Sequence, residues 1–167
     1  IALEPITDMK NMLYECDLLI SFVSYNFDTS KVSNMSNMFR KCANLINVKG
    51  IKDTSNVTDM RRMFQDCKSL NYINNISNWN LSKVKDISYM FCGCPKLPNI
   101  SEYLLWDTSN INNMSHLFDG CSLLEQIPDI SSWNTYNVEY MNHIFKSYST
   151  IKSLPDLSKW NISNTNR

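Results

Sequence analysis

The feature that most constrains this chain is a unit of 25 to 27 residues that repeats along almost its whole length. Each unit is easiest to follow through an anchor, the second residue of a Met-Phe pair or its apolar variants. The anchors are Leu13, Phe39, Phe64, Phe91, Phe118 and Phe145. A unit this short cannot bury an apolar face alone, whereas stacked copies share one continuous core. We therefore predict that residues 1–167 form a single repeat array.

Apolar residues keep fixed places around every anchor. Seven residues before the anchor stand Ile6, Val32, Val57, Val84, Ile111 and Val138, and six after it stand Leu19, Leu45, Leu70, Leu97, Leu124 and Ile151. The Leu-x-x-Ile stretch predicts a short strand that stacks on the next unit, and the segment around Met-Phe predicts one or two helical or 3₁₀ turns. The fold class is then a repeat solenoid, similar to leucine-rich repeats, with about six coils of parallel strands and short helical turns.

Polar residues separate these apolar blocks. Asp28, Asp53, Asn80, Asp107 and Asn134 occupy one position and are followed mainly by Thr and Ser, a pattern typical of turns and caps. Just before them stand Trp79, Trp106 and Trp133. We interpret these tryptophans as packing residues whose N–H groups bond to a neighbouring turn, with an exposed sugar-binding ladder as the alternative.

Charge and composition exclude several functions. Lys plus Arg and Asp plus Glu both number 16, so the chain lacks the basic surface that nucleic acid or anionic lipid requires. With 3 glycines it carries none of the glycine-rich phosphate loops, and no apolar run approaches the roughly 20 residues that span a bilayer. The chain opens in the middle of the pattern at Ile1, so we expect a fragment with flanking repeats or caps.

Residues 54–70, which read Thr-Ser-Asn-Val-Thr-Asp-Met-Arg-Arg-Met-Phe-Gln-Asp-Cys-Lys-Ser-Leu, resemble the BspA-like leucine-rich repeats. More narrowly they resemble the Met-Phe variant found in bacterial and protist surface proteins. The resemblance extends from about Ile6 to Trp160. It implies a repeat ectodomain used in adhesion or host contact, and a family without catalytic residues.

Cysteine takes one position in five repeats, three residues after the anchor: Cys16, Cys42, Cys67, Cys94 and Cys121, with Tyr148 in the last copy. We interpret this thiol column as buried and reduced, because cysteine packs as a small apolar residue. Disulfides or a metal site are the alternative. Cys92 lies outside the column at a position expected to face solvent, and it is our candidate for a reactive thiol.

Two variable columns are the candidate binding surface. The pre-anchor column, two residues before each anchor, contains Asn37, Arg62, Tyr89, His116 and His143, preceded by Asn11 in the weaker first copy. The post-anchor column, one residue after each anchor, contains Arg40, Gln65, Cys92, Asp119 and Lys146. His116 and His143 would lie about one strand spacing apart, near 5 Å. We interpret them as part of a solvated face rather than as metal ligands, and predict no metal, cofactor or catalytic set.

Asn-x-Ser/Thr sequons are numerous, and those near the tryptophan turns are best placed to carry glycans: Asn75, Asn80 and Asn161. Sequons close to the anchor, such as Asn56, leave little room for a glycan.

These observations support a non-enzymatic module that binds a protein or a cell-surface glycan, in adhesion or recognition at the cell surface or after secretion. The alternative is a structural scaffold within an intracellular or cytoskeletal assembly, which the buried thiols and balanced charge fit equally well. An enzyme is the weakest hypothesis because no acid, base and nucleophile converge.

Overall fold

A computed structural model describes residues 4–97, 106–124, 129–146 and 153–166. In this part of the chain the regular elements are three short strands and one 3₁₀ helix. The strands are β1 (Ser21–Val23), β2 (Asn47–Lys49) and β3 (Tyr72–Ile73), and the helix is Ile76–Asn78. The protein is a β-rich repeat fold in which most residues lie in turns.

The strands form one parallel sheet in the order β1-β2-β3. Phe22 pairs with Val48, and Val48 pairs with Ile73. These residues come from the predicted Leu-x-x-Ile stretch of successive repeats, so the strand prediction is confirmed for the first three copies. The later copies of this stretch fall largely outside the described residues.

A second line of parallel pairing joins all six repeats, five residues before each anchor. Isolated bridges connect Asp8, Asn34, Asp59, Asp86, Asn113 and Tyr140 in that order. Equivalent residues of consecutive repeats therefore lie side by side along the array.

The segment around Met-Phe does not form the predicted helical turns. It consists of successive tight turns, in which the N–H of Met38 bonds to the carbonyl of Met35 and the N–H of Arg40 bonds to that of Asn37. Every second N–H, such as that of Phe39, instead donates to the next repeat, at Met63 in this case. The helix prediction is wrong because left-handed residues interrupt the segment and because half of its donors bond between repeats.

The core is a set of columns that run from repeat to repeat. The phenyl rings of Phe39, Phe64, Phe91 and Phe118 are fully buried and nearly parallel, with centroids 5.4 to 5.8 Å apart. Valine, methionine, cysteine and leucine columns are buried around them. Each side chain contacts its own equivalents above and below, so the same residue types recur at each place.

Polar side chains at the turns also connect repeats. Asp28 and its equivalents accept a hydrogen bond from the backbone N–H two residues later, at Ser30, Ser55, Ser82, Ser109 and Tyr136, which confirms the turn prediction. The adjacent threonines Thr29, Thr54, Thr108 and Thr135 donate to a carbonyl of the following repeat. The side-chain amides of Asn56, Asn110, Asn137 and Asn164 donate to a carbonyl of the preceding repeat. The threonine hydroxyls are thereby satisfied although the threonines are buried, and the asparagine amides at the surface add further bonds between repeats.

Candidate functional site

The pre-anchor column has an unusual backbone. Its residues all have positive φ, between 55° and 58°: Asn11, Asn37, Arg62, Tyr89, His116 and His143. Only glycine adopts this left-handed conformation freely, and asparagine tolerates it better than most residues. Other side chains cost roughly 1–2 kcal/mol there. Arg62, Tyr89 and the two histidines therefore occupy positions that the backbone does not favour for them.

The side chains of this column stack on one another. The guanidinium of Arg62 lies 5.1 Å from the ring centroid of Tyr89, a cation–π distance. The rings of Tyr89 and His116 are 4.4 Å apart and nearly parallel, and those of His116 and His143 are 4.8 Å apart and tilted by 55°. Sequence reasoning predicted the spacing of the histidines, and the structure extends the stack to four side chains.

His116 is held in place at both nitrogens. Its Nδ1 lies 2.9 Å from a carboxylate oxygen of Asp119 and its Nε2 lies 3.4 Å from the side-chain nitrogen of Asn142. The oxygen of Asn142 accepts a bond from the hydroxyl of Ser115. This network fits a ring that donates from Nδ1 to Asp119. The pre-anchor and post-anchor columns are thus joined at His116 and Asp119.

The post-anchor column is less exposed than predicted. Lys146 is exposed, but Arg40, Gln65, Cys92 and Asp119 are half-buried. Equivalent side chains about one strand spacing apart cover one another, which the expectation of a solvent-facing column did not take into account. Arg40 also lies over the ring of Tyr14, at 5.5 Å. This column therefore exposes the edges of its side chains rather than freely extended groups.

Four polar side-chain atoms are buried without a partner in the described part of the chain: Oδ1 of Asn37, Nε of Arg40, Oε1 of Gln65 and Nε1 of Trp79. The first three belong to the two candidate columns, in neighbouring repeats. Unpaired buried polar atoms are unusual, since each costs about 1–3 kcal/mol when it stays unsatisfied.

The thiol column is buried and reduced, as predicted. Cys42, Cys67, Cys94 and Cys121 are fully buried, Cys16 in the first repeat is half-buried, and none of the six cysteines forms a disulfide. The thiols donate to the carbonyl of the preceding repeat's anchor, at Leu13, Phe39, Phe64 and Phe91, over 2.9 to 3.1 Å. Sequence reasoning missed these bonds, which explain why cysteine rather than alanine or valine fills the position.

Cys92 has surroundings that oppose thiolate formation. Burial is the main cause that raises the pKa of its thiol, to about 11, and the carboxylates of Asp119 and Asp66 raise it further. A thiol with such a pKa is almost entirely protonated at neutral pH, so these surroundings disfavour nucleophilic chemistry.

The tryptophans are packing residues, as predicted. Trp79, Trp106 and Trp133 are buried, and the rings of Trp106 and Trp133 stack at 6.1 Å. The indole N–H groups of Trp106 and Trp160 donate to the carbonyls of Ile76 and Ile130. The predicted N–H bond is not formed at Trp79, whose Nε1 is buried without a partner among the described residues. Burial leaves the ring faces of Trp79, Trp106 and Trp133 unavailable to a sugar.

The candidate glycan acceptors lie at the surface. Asn75 and Asn80 are exposed, Asn161 is half-buried, and Asn75 has a left-handed backbone at the start of the 3₁₀ helix. The side-chain N–H of Asn56 donates to the carbonyl of Ser30, whereas Asn80 and Asn161 accept hydrogen bonds from Ser82 and Ser163 through their side-chain oxygens. Glycosylation at Asn75, Asn80 and Asn161 stays a prediction.

Over the residues that the structure describes, no group of three or more His, Cys, Asp or Glu side chains is placed to hold a metal ion. Within the same residues no helix is long and apolar enough to cross a membrane.

The left-handed backbone of the pre-anchor column could have been predicted from sequence only in part. Asn11 and Asn37 are the residue type that best tolerates a left-handed backbone, and they indicate the conformation of their column. The arginine, tyrosine and histidines at the same position give no such signal.

Comparison with known proteins gives a match to a family model. The model of a family described as "Mycoplasma protein of unknown function, DUF285" matches residues 7–105 and 96–167. The two matches together take in nearly the whole chain and overlap at 96–105. No curated protein and no solved structure matches the chain.

Proposed function

The chain belongs to the family described as "Mycoplasma protein of unknown function, DUF285", and since this description assigns no activity, we propose a function from the geometry. The chain is a non-enzymatic recognition module of the BspA-like type, a leucine-rich-repeat-like solenoid that acts in adhesion at the cell surface or after secretion. The pre-anchor and post-anchor columns form its binding surface.

One observation carries this proposal: large side chains occupy left-handed positions that asparagine fills in the first two repeats. Asn11 and Asn37 fit the backbone at little cost, whereas Tyr89 and His116 adopt the same φ with bulky rings. Such strain persists where the surrounding structure imposes it, and it is concentrated at binding sites. The identity of these side chains therefore points to a use outside the fold itself.

The geometry favours a protein over a glycan as the partner. Sugars are recognised largely through open aromatic ring faces, but the faces of Tyr89 and His116 cover each other and the indoles are buried. The columns present ring edges, a guanidinium and a carboxylate in a fixed row. Aromatic and arginine side chains of this kind are typical anchors in protein interfaces.

A variant without the stacked side chains tests the proposal. Its replacement residue tolerates the left-handed backbone, so the fold should be retained. Arg62, Tyr89, His116 and His143 are all replaced by Asn, the residue found at Asn11 and Asn37. A matched control replaces the exposed Lys85 and Glu139 by Ser. Both variants and the parent chain are titrated onto a panel of immobilised extracellular-matrix proteins and onto a glycan array.

We expect the parent chain and the control to bind at least one matrix protein, and the asparagine variant to bind it at least about tenfold more weakly while melting cooperatively. Equal binding by the asparagine variant would remove the pre-anchor column from the proposal. Binding to glycans alone would replace the protein partner by a sugar, and binding to neither panel would count against adhesion.

A scaffold role within a large intracellular assembly is the second candidate, and the thiols favour it. Four buried thiols that depend on the reduced state fit a reducing compartment. Intact mass of the natively purified protein separates the two candidates. Glycan mass at Asn75, Asn80 or Asn161 would support secretion, whereas an unmodified mass with thiols that label only after unfolding would support the scaffold.

A further inference from the structure

A chain of hydrogen bonds connects Asp119, His116, Asn142 and Ser115. Nδ1 of His116 bonds to the carboxylate of Asp119, and Nε2 of the same ring lies 3.4 Å from the side-chain nitrogen of Asn142. The side-chain oxygen of Asn142 accepts a bond of 2.7 Å from the hydroxyl of Ser115. An amide nitrogen can only donate, so Nε2 accepts, and the ring that fits this arrangement is neutral with its proton on Nδ1.

A proton on Nε2 of His116 would place two donors opposite each other. An imidazolium donates from both nitrogens, so its Nε2–H would face the side-chain N–H groups of Asn142. Rotation of the Asn142 amide by half a turn removes this conflict, because it brings the amide oxygen to Nε2. The same rotation brings the amide nitrogen to the hydroxyl of Ser115, which can accept as well as donate.

The hydroxyl of Ser115 also has a second acceptor, and another repeat shows it in use. Ser36 is the equivalent of Ser115 in the second repeat, and its hydroxyl donates over 2.7 Å to the side-chain oxygen of Asn34. Asn113 is the equivalent of Asn34, and both asparagines accept the backbone N–H of their serine. Ser115 can therefore donate to Asn113 while it accepts from the rotated amide, so that both arrangements of the network are hydrogen-bonded.

We infer that His116, Asn142 and Ser115 form a proton-driven switch that sets the charge of the pre-anchor column. In one state the ring of His116 is neutral and accepts from Asn142. In the other state Nε2 has taken a proton from solvent, the amide of Asn142 has rotated, and Ser115 donates to Asn113. Histidine is the side chain that ordinarily changes charge between about pH 5 and pH 8, so the switch operates in this range.

Two neighbours of His116 favour its charged state. The carboxylate of Asp119 lies 2.9 Å from Nδ1, and a carboxylate at this distance stabilises an imidazolium. The ring of Tyr89 in the preceding repeat lies parallel to the imidazole at 4.4 Å, where it can hold a cation over its face. Cys92 and Lys146 precede and follow Asp119 in the post-anchor column. Of these two, the thiol is uncharged at neutral pH and the exposed ammonium opposes a further positive charge.

Two other groups of the pre-anchor column also oppose a charge on His116. The guanidinium of Arg62 lies over the other neighbour of Tyr89 in the column, and the ring of His143 in the following repeat lies 4.8 Å from that of His116. Like charges this close repel, so a proton on one imidazole disfavours a proton on the other. His116 has a carboxylate within hydrogen-bond distance, whereas His143 has none among the described residues.

The switch gives the candidate binding surface a regulation by pH. In the protonated state the column carries a second positive charge in addition to Arg62, which favours a partner with carboxylates opposite the column. This consequence rests on the proposed function, but the switch itself is a property of the chain alone. A chain that binds no partner and a chain whose network does not respond to pH are therefore different results.

Nuclear magnetic resonance on the 167-residue chain without a partner tests the inference between about pH 8 and pH 5. The signals observed are those of Nε2 of His116 and of the side-chain N–H protons of Asn142. Two variants accompany the parent chain: His116→Asn removes the ring that the switch requires, and His143→Asn makes the same change one repeat later. Asparagine occupies this column at Asn11 and Asn37, so both variants suit the left-handed backbone.

We expect the Asn142 side-chain protons of the parent to contact the ring of His116 at high pH and the β-protons of Ser115 at low pH. This exchange of nuclear Overhauser contacts should have the same midpoint as protonation of Nε2. His143→Asn should retain the exchange, whereas His116→Asn should keep one set of Asn142 contacts throughout.

Asn142 contacts that stay the same in the parent from about pH 8 to pH 5 would overturn the inference, and this titration needs no variant. Contacts that still exchange in His116→Asn would overturn it as well. So would an exchange that is lost in His143→Asn although that variant melts cooperatively, because His143 would then be the group that responds to pH.

Discussion

At the scale of single residues, the recurring polar contacts explain why particular side chains recur at the same place. Cys67 is buried and donates to the carbonyl of Phe39. Burial raises the pKa of this thiol well above its usual range. A neutral thiol fills the space of a small apolar residue and adds a second hydrogen bond to a carbonyl that already accepts the backbone N–H of Cys42.

Replacement of Cys67 by Ala should lower the free energy of unfolding by about 1–2 kcal/mol, because it leaves a small void and removes the hydrogen bond from the thiol to the carbonyl of Phe39. The matched control is Cys16→Ala, at the same position of the first repeat but half-buried and without a hydrogen-bond acceptor among the described residues. Urea denaturation of both variants should show a loss several times larger for Cys67. Equal losses would mean that the hydrogen bond contributes nothing.

Two carboxylates should respond to pH in opposite directions. Burial, helped by the neighbouring carboxylate of Asp86, raises the pKa of Asp59 above its ordinary value of 3.8. Hydrogen bonds from the hydroxyl and the backbone N–H of Ser55 lower the pKa of Asp53 below 3.8. The folded state therefore binds a proton more tightly at Asp59 and less tightly at Asp53 than the unfolded state does.

Asp59→Asn should consequently stabilise the protein relative to the parent as the pH rises above 3.8, by less than about 1 kcal/mol at this half-exposed site. Asn34 and Asn113 already occupy the same column and make the same turn. Asp53→Asn should instead destabilise the protein above pH 3.8, with the difference disappearing as the pH falls below that value. Thermal melts of both variants between pH 3 and pH 7 test the signs, and differences that do not vary with pH would contradict them.

At the scale of elements, the ends of the short strands depend on close backbone approach between repeats. Gly50 follows β2 with φ at 110°, and a β-carbon there would overlap the carbonyl oxygen of Ser24 in the preceding repeat. Gly120 also has a positive φ, at 75°, but a β-carbon there would meet Gly93 only at an ordinary van der Waals distance. The positive φ disfavours any other residue at both positions, whereas a steric clash with a neighbouring backbone excludes a β-carbon only at Gly50.

Gly50→Ala should therefore cost more than about 2 kcal/mol of unfolding free energy, because neither backbone can move without disturbing the sheet. Gly120→Ala should cost about 1 kcal/mol, the value expected for left-handed strain alone. Urea denaturation measures both losses. If Gly120→Ala proved as damaging as Gly50→Ala, conformational strain rather than the contact with Ser24 would account for both.

The features that could be predicted from the sequence are those that the type and spacing of side chains determine. The anchors, the thiol column and the Asx turns follow from periodicity and residue type, because each position faces the same surroundings in every repeat. The turns around Met-Phe could not be predicted, since Val-x-x-Met-x-x-Met-Phe also fits a helix. What selects turns is the inter-repeat bonding of alternate N–H groups, such as that of Phe39, which involves residues about 24 positions away.

The candidate site was predictable in position but not in form. The variability of the pre-anchor column indicated a surface, and Asn11 and Asn37 hinted at its backbone. The stack of Tyr89 on His116 and the bond from His116 to Asp119 depend on side-chain directions that residue spacing does not determine.

At the scale of the whole molecule, the array should behave as a chain of interchangeable units. The core columns and the bonds between Met-Phe segments connect each repeat only to its neighbours. Stability in such an array is close to a sum of unit and interface contributions, so a unit can be removed when the columns remain in register.

Deletion of residues 65–91 removes one full period and joins Phe64 directly to Cys92, which restores every column. Because one of six repeats is lost, this variant should unfold cooperatively with a denaturant dependence about a sixth smaller than that of the parent. Deletion of residues 65–78 removes only half a period, including β3, so the third repeat can no longer complete a coil that stacks on its neighbours. This variant should not melt cooperatively, although fewer residues are lost. Circular dichroism with urea titration distinguishes the two, and a half-period variant as cooperative as the full-period one would show that column register does not hold the molecule together.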